Sequence, residues 1–230
     1  MTSALRDFDP DLVVATDETR TRLVHAISRL VRAESYHAVG VMAICDLAGV
    51  HRGSFYHHFD SKQSLMIEAL DRAWEDFDRR ALASCRDPEM EPKARIDALV
   101  DFIHGCLVRD KADTGRIRGS MFGNLAAEST AIEEPIGRRL AALFADWSAT
   151  VEIPLAVAQD RGEIDQDASL HDLAVDTVAT LEGLILLAKV ENEPDLLFRG
   201  GRSLTARLWC LDRDVPVESR HGGVRHVRDS

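Results

Sequence analysis

"GVHRGSFYHHFDSK" occupies residues 49–62 and combines three histidines, three aromatic residues, two glycines and two cations. The eight residues before it, "VMAICDLA" (41–48), predict a short helix that Gly49 ends. "RGSFYHHF" (52–59) predicts a second short helix, and Ser61 is placed to cap a longer helix that follows. The stretch therefore predicts the turn and the second helix of a helix-turn-helix unit.

Such a unit needs apolar contacts between its two helices, which Ile44 and Phe55 can supply, and Gly49 gives the turn its backbone freedom. The second helix of such a unit lies in the DNA major groove, where phosphates and base edges require well-placed donors. Lys62 opens the following helix, whose dipole also favours a phosphate. The predicted DNA-binding residues are Val41, Met42, Arg52, Gly53, Ser54, Tyr56, His57 and Lys62. Tyr56 is assigned to DNA because Phe55 and Phe59 already serve the core.

The histidines also raise the alternative of a metal site formed by Cys45, His51, His57 and His58. Their C-x5-H-x5-HH spacing matches no compact structural zinc arrangement, so we expect no metal and no other cofactor. Cys45 is small and suits the place where the two helices approach each other. His58 is interpreted as a packed or capping side chain, with a phosphate contact as the alternative.

The charge of the chain is unevenly distributed. The 230 residues carry a net charge of −11, which argues against broad binding to nucleic acids or anionic membranes. Residues 20–62, in contrast, hold six Lys or Arg residues and three acidic ones. A basic segment on an acidic protein predicts an anion-binding module joined to a different kind of domain. Within this segment, Arg29 and Arg32 are expected on a solvated helix face.

Cysteine usage and the terminal sequence indicate a cytoplasmic protein without a membrane segment. The four cysteines form no CxxC pair, and a chain of this length needs no disulfide, so reduced thiols are expected. The N-terminal "MTSALRDFDPDLVV" is acidic where a signal peptide is basic. The most apolar stretch, 181–190, contains two charged residues and is too short to span a bilayer.

Apolar residues recur at helical spacing along almost the whole chain, and strand-like alternation is absent. Hydrophobic residues make up 45% of the sequence, enough for a sizeable core. We therefore predict an all-α protein of about nine helices. The first helix is expected at 17–35, with Thr16 or Asp17 as its cap. Residues 1–16 are expected to form a flexible arm and residues 212–230 a disordered tail.

The segment "GVHRGSFYHHFDSKQSL", which begins at Gly49, resembles the signature of TetR-family transcriptional regulators, and the similarity extends over residues 17–77. The resemblance implies an N-terminal three-helix DNA-binding domain at 17–77, with its helix-turn-helix motif at 40–59. It also implies a C-terminal ligand-binding and dimerisation domain at 78–211. The implied partners are a second copy of the chain, a palindromic double-stranded DNA operator and a small organic effector that releases it.

The second half of the chain adds a narrower resemblance. "RGSMFGNLAAE" (118–128) and "LEGLILLAKV" (181–190) are similar to a subgroup of the family that includes AcuR-like and NemR-like repressors. Ser120 stands where that subgroup often carries cysteine, so sensing through a thiol at this position is excluded. We therefore expect non-covalent recognition of a neutral or cationic molecule, with Cys106 an inert core thiol and Cys85 exposed at a helix end.

Aromatic residues and polar residues within apolar helices are the candidates for a ligand pocket, each with core packing as the alternative role. Asn124 and Glu128 share a helix face, and Glu182 interrupts an apolar run, so both sites need polar partners if they are buried. The candidates are Trp74, Phe77, Phe102, Met121, Asn124, Glu128, Phe144, Trp147 and Glu182.

Two other classes of protein remain as alternatives to a DNA-binding regulator. An enzyme is disfavoured, because the sequence has no phosphate-binding glycine loop, nucleophile motif or paired metal ligands, and we assign no catalytic residue. A helical scaffold without DNA binding is the second alternative. Binding of the chain to its own upstream DNA would separate the regulator from both.

Overall fold

The computed structural model describes residues 18–128 and 133–210, which form helices and turns without a strand. The helices are α1 (Glu18–Val31), α2 (Val41–Ala48), α3 (Arg52–His58), α4 (Lys62–Arg80), α5 (Ala83–Arg86), α6 (Pro92–Thr114), α7 (Met121–Ala127), α8 (Glu134–Asp160), α9 (Leu170–Glu191) and α10 (Asp195–Leu208). The predicted all-α class is confirmed. The expected arm at 1–16, its cap and the tail at 212–230 lie outside the described residues.

The described residues contain ten helices where about nine were expected, because the long fourth helix is interrupted after Arg80. The amide of Leu82 bonds back to the carbonyl of Phe77 at 3.3 Å, a turn that ends α4. The short α5 follows. The interruption places Leu82 and Cys85 in the core, where both side chains are fully buried. Cys85 is therefore not exposed, and this expectation was wrong.

The N-terminal helices pack around a shared set of apolar side chains. Leu23 and Ile27 of α1 meet Ile44 of α2, Phe55 of α3 and Leu65 of α4, and all five side chains are fully buried. Ser61 caps α4 as predicted, since its hydroxyl accepts a hydrogen bond from the amide of Ser64 at 3.0 Å. The start of α4 is thus fixed relative to the helix-turn-helix unit.

Ion pairs join α1 to α4. Glu68 accepts hydrogen bonds from Arg20 of α1 and, at 2.6 Å, from Arg72 one turn further along α4. Arg20 also lies over the Phe59 ring at 4.6 Å. These contacts make α1, α3 and the first half of α4 a single packed unit. Because α4 continues to Arg80, the predicted boundary at 77/78 lies inside a helix, and the domain division stays a prediction.

The second half of the chain is a bundle in which α6, α8, α9 and α10 pack side by side. α10 approaches α6 closely, because an added Cβ at Gly201 would lie 2.5 Å from a Val100 methyl carbon. Among the described residues, only α8 is long and apolar enough to cross a membrane. Leu143, Trp147 and Val151 on this helix are buried inside the bundle, so core packing accounts for its apolar character.

Candidate DNA-binding surface and adjoining cavity

The turn between α2 and α3 has the geometry that the sequence predicts. Gly49 adopts a left-handed conformation at φ 64°, and the amide of Val50 bonds to the carbonyl of Cys45 at 3.0 Å. Ile44, Cys45 and Phe55 are buried between the helices. The burial raises the pKa of the Cys45 thiol. This packing turns the outer face of α3 to solvent.

The exposed side of the unit carries most of the predicted DNA-binding residues. Tyr56 is 48% exposed and Met42 is 53% exposed, values that are high for large apolar side chains. The Arg52 guanidinium lies 5.6 Å from the centre of the Tyr56 ring, and their hydrogen bond raises the pKa of Arg52. A Cβ added at Gly53 would meet no atom within 4 Å, so internal packing does not demand glycine there. We call Met42, Arg52, Gly53, Tyr56 and His57 the α3 surface.

The remaining predicted contacts are less exposed. Val41 and Ser54 are half-buried at the edge of this surface. His58 is also half-buried and its ring meets that of His57 edge-on at 5.0 Å, consistent with a packing role. His51 is exposed while Cys45 points into the core, so the alternative metal ligands are not assembled. Within the described part of the chain, no three His, Cys, Asp or Glu side chains gather around a possible metal position.

Lys62 has an internal role that the sequence did not reveal. Its ammonium donates to the carbonyls of Tyr36 at 2.9 Å and Val39 at 3.0 Å, and it lies 4.0 Å from the centre of the Tyr36 ring. Burial lowers the pKa of Lys62, opposed by Glu133 and Glu128. Two of its three N–H groups are engaged, so a phosphate contact would have to use the third.

Tyr36 is the centre of a polar network between the DNA-binding helices and the rest of the chain. Its side chain is fully buried, and its hydroxyl donates to Glu133 at 3.0 Å. Its amide donates to Glu128 at 3.1 Å, and the Ser35 hydroxyl donates to the same carboxylate at 2.8 Å. Burial and the bond to Glu133 raise the pKa of Tyr36. Glu128, a pocket candidate, is therefore committed to the segment that leads from α1 to α2.

A second network links the end of α1 to α6 and α7 through Asp110. This buried carboxylate accepts hydrogen bonds from the Arg118 amide at 2.6 Å and the Arg118 Nε at 2.7 Å. Arg32 reaches the same carboxylate at 3.3 Å and the Gly119 carbonyl at 3.3 Å. Burial lowers the pKa of Arg32, and Asp110 opposes that effect. The expectation of a solvated Arg32 was wrong, because its partners lie about 80 to 90 residues away along the chain.

A cavity of about 930 Å³ opens between these networks. Its walls are the end of α1 with the residues that follow, α7 with the two residues before it, α8 and α9. Four of the nine predicted pocket residues line it: Asn124, Glu128, Phe144 and Glu182. Arg32, Ser35, Gly119 and Ser120 also line it, although the sequence offered no local signal for them beyond the position of Ser120.

The other five pocket candidates, Trp74, Phe77, Phe102, Met121 and Trp147, do not line this cavity. Trp74 and Phe77 belong to a cluster of aromatic rings that also contains Phe122 and Trp147. Trp147 meets Phe77 edge-on at 4.9 Å and stacks on Phe144 at 6.2 Å. This cluster forms the core behind the cavity wall, with Phe144 as the member that reaches both.

The thiols of Cys85 and Cys106 near the cavity have raised pKa values and low reactivity. Burial raises the pKa of Cys85 to about 11. Burial also raises the pKa of Cys106, although Arg109 donates to its sulfur at 3.3 Å. Both shifts reduce the thiolate population at neutral pH, and neither cysteine lines the cavity.

Two family models match the chain, and together they span both halves of this arrangement. The model described as bacterial regulatory proteins, tetR family, matches residues 23–69. The model described as the tetracyclin repressor-like C-terminal domain matches residues 92–204. The first covers the helix-turn-helix unit, and the second covers the helices that carry the cavity.

Individual proteins support the same assignment. Transcriptional regulator AcuR of Cereibacter sphaeroides is 30% identical over 176 residues, which cover 76% of this chain and 78% of that protein. The HTH-type transcriptional repressor DhaR of Mycobacterium sp. is 24% identical over 80% of this chain and 89% of its own length. A solved structure of regulatory protein TetR from Rhodobacter sphaeroides aligns with a TM-score of 0.74 and 27% identity, covering 83% of this chain and 98% of that one.

The exposed α3 surface, the left-handed glycine turn and the two family matches lead to one assignment and decide against the enzyme and scaffold alternatives. The chain belongs to the TetR family, and it is a DNA-binding transcriptional regulator.

Proposed function

We propose that the protein is a cytoplasmic, homodimeric repressor that leaves a palindromic operator when a small organic effector binds. The observation that carries this proposal is the position of the cavity. Residues at the end of α1 form one wall and α7 to α9 form the others, so an occupant contacts the elements that hold the DNA-binding unit in place.

The proposed dimer forms through α9 and α10. Leu186, Leu187 and Val190 on α9 are exposed, at 58%, 51% and 74%, and Phe198 on α10 is also exposed. Small residues on the same face, such as Ala179 and Gly183, would allow a second helix to approach closely. An apolar stripe of this kind is buried by two-fold pairing with an identical stripe. The repressor dimer would then present two α3 surfaces to successive major grooves, roughly 34–36 Å apart.

The proposed path from effector to DNA runs through Tyr36. No residue of α4 lines the cavity, so a ligand in it would not tilt α4 by direct contact. Glu128 does line it, and Glu128 holds Tyr36, whose carbonyl binds Lys62 at the start of α4. An effector that displaces Glu128 would release the α1–α2 segment and α4 together. It need only bind that released state more tightly than the DNA-competent state.

Replacing Tyr56 tests the DNA-binding half of the proposal. Tyr56→Ala should weaken binding to a fragment of the chain's own upstream DNA by about tenfold or more, because one base or phosphate contact typically contributes 1–3 kcal/mol. Fluorescence anisotropy at fixed salt would measure the change. Ile153→Ala is a matched control, since it truncates a side chain of similar exposure on α8. If both variants bind the fragment as the parent does, the α3 surface does not contact the DNA as proposed.

A further inference from the structure

Among the described residues, Glu182 is the one acidic group of the cavity wall with a buried oxygen that accepts no hydrogen bond. It lies on α9 opposite the start of α7, and its Oε1 atom is buried without a hydrogen-bond partner among the described residues. The Ser120 hydroxyl donates to the carboxyl. Burial raises the pKa of Glu182 to about 7, and the bond from Ser120 opposes this rise.

The backbone of α7 is shaped around this carboxyl. A Cβ at Gly123 would lie 2.3 Å from Glu182 Oε2, so only glycine leaves the carboxyl its present position. The Ser120 side chain is oriented by the Gly123 amide, which donates to its oxygen at 3.1 Å. Gly123 and Ser120 therefore form a defined site around the carboxyl. Glu182 is not a surface side chain that merely folds inward.

The other charged groups of the wall have partners or face solvent. Lys189 donates to the Asn124 side chain at 2.8 Å, and His171 pairs with Glu152 at 3.0 Å. Arg32 pairs with Asp110, and Glu128 binds Ser35 and Tyr36, as described above. Glu34 is exposed at the rim. Glu182 is consequently the acceptor that remains for a ligand.

Apolar side chains make up most of the remaining wall, including Val31, Phe144, Val178 and Ile185. We propose that Glu182 is the recognition group of the effector site and that the cavity takes a small, largely apolar molecule carrying a protonated amine. This inference rests on the proposed function in treating the cavity as the effector site. An ammonium group would donate a charge-assisted hydrogen bond to Oε1, while the apolar walls contact the body of the ligand.

Three probes with one carbon skeleton test the chemical class: phenylbutylamine, phenylbutanol and phenylbutyrate. Calorimetric titration of the purified full-length protein at pH 8 should show the amine binding about tenfold or more tighter than the other two, because a hydrogen bond to a charged group is stronger. The amine's affinity should fall as the pH is lowered from 8 to 6. Glu182 loses its charge through a pKa of about 7, whereas the amine stays protonated throughout.

Two variants and one control locate the effect. Glu182→Gln should remove the preference for the amine, and Gly123→Ala should weaken amine binding at unchanged net charge by displacing the carboxyl. Glu75→Gln removes the same charge from an exposed side chain on α4, outside the cavity, and should leave the affinity unchanged. Thermal unfolding provides an independent readout of folding. Because burial raises the pKa of Glu182 from 4.5 to about 7, ionisation of this side chain lowers the stability of the parent progressively as the pH rises from about 4.5 to about 7. Glu182→Gln should therefore melt higher than the parent at pH 8, with a smaller gain towards pH 5.

The ligand class is overturned if the amine does not bind at millimolar concentration, if phenylbutyrate or phenylbutanol binds as tightly, or if Glu182→Gln keeps the amine's affinity. Tighter amine binding at pH 6 than at pH 8 also overturns it. The proposed function fails separately: an amine that binds through Glu182 without reducing operator affinity supports the ligand class and contradicts its role as an effector.

Discussion

Leu187→Arg should convert the proposed dimer, of twice 25.5 kDa, to a monomer of 25.5 kDa. Leu187 lies in the exposed apolar stripe of α9 beside Leu186 and Val190, where the proposed two-fold axis would bring it close to its own copy. Two arginines facing each other in that apolar contact would lose hydration without gaining a partner. Light scattering at micromolar concentration would measure the mass.

The same change should abolish tight operator binding. A monomer presents one α3 surface, and a single recognition helix makes too few contacts for a specific site, so a loss of about 100-fold or more is expected at nanomolar protein. Val108→Arg provides the matched control, because Val108 on α6 is 42% exposed and lies outside the stripe. A dimeric Leu187→Arg protein would contradict the proposed interface, provided that circular dichroism shows both variants folded.

Asp110→Ala should lower the free energy of unfolding by about 3 kcal/mol, near the lower end of the range for breaking a buried ion pair. The substitution leaves Arg32 and Arg118 without their shared carboxylate, and the Arg118 amide also loses its acceptor. The lower end applies because both arginine side chains keep part of their solvent access. Urea unfolding at a fixed protein concentration would measure the loss.

Asp101→Ala is the control for that measurement. Asp101 also lies on α6 and pairs with an arginine, Arg202, at 2.7 Å, but its side chain is half exposed. An exposed pair contributes little, so the change should cost less than about 1 kcal/mol. Equal losses for Asp101→Ala and Asp110→Ala would show that the buried network does not hold α1 to α6 and α7. Because Asp110 joins these helices next to the cavity, its removal should also weaken effector control of DNA binding.

The sequence alone determined the helix-turn-helix unit, because its signals are local. Gly49 ends one helix, Ser61 caps another, and Ile44 and Phe55 lie only eleven residues apart across the turn. Each signal acts within a few turns of the chain, where residue type and spacing restrict the backbone directly. The exposed Tyr56 between buried Phe55 and Phe59 follows from the same short-range pattern.

Only the tertiary structure decided how the cavity is built and how it is joined to the DNA-binding unit. The helical pattern predicts a solvated Arg32, yet its carboxylate partner lies on α6. Tyr36 has its role because it binds Glu128 and Glu133, which are more than 90 residues away along the chain. Trp74 and Trp147 looked as suitable for a pocket as Phe144, because helical periodicity shows which face is buried but not whether it faces a neighbouring side chain or an open space. Glu182 was notable in the sequence as a charge in an apolar run, but the position of its carboxyl depends on the space that Gly123 leaves beside Oε2. That space, and the buried Oε1 without a partner among the described residues, exist only once α7 and α9 have come together.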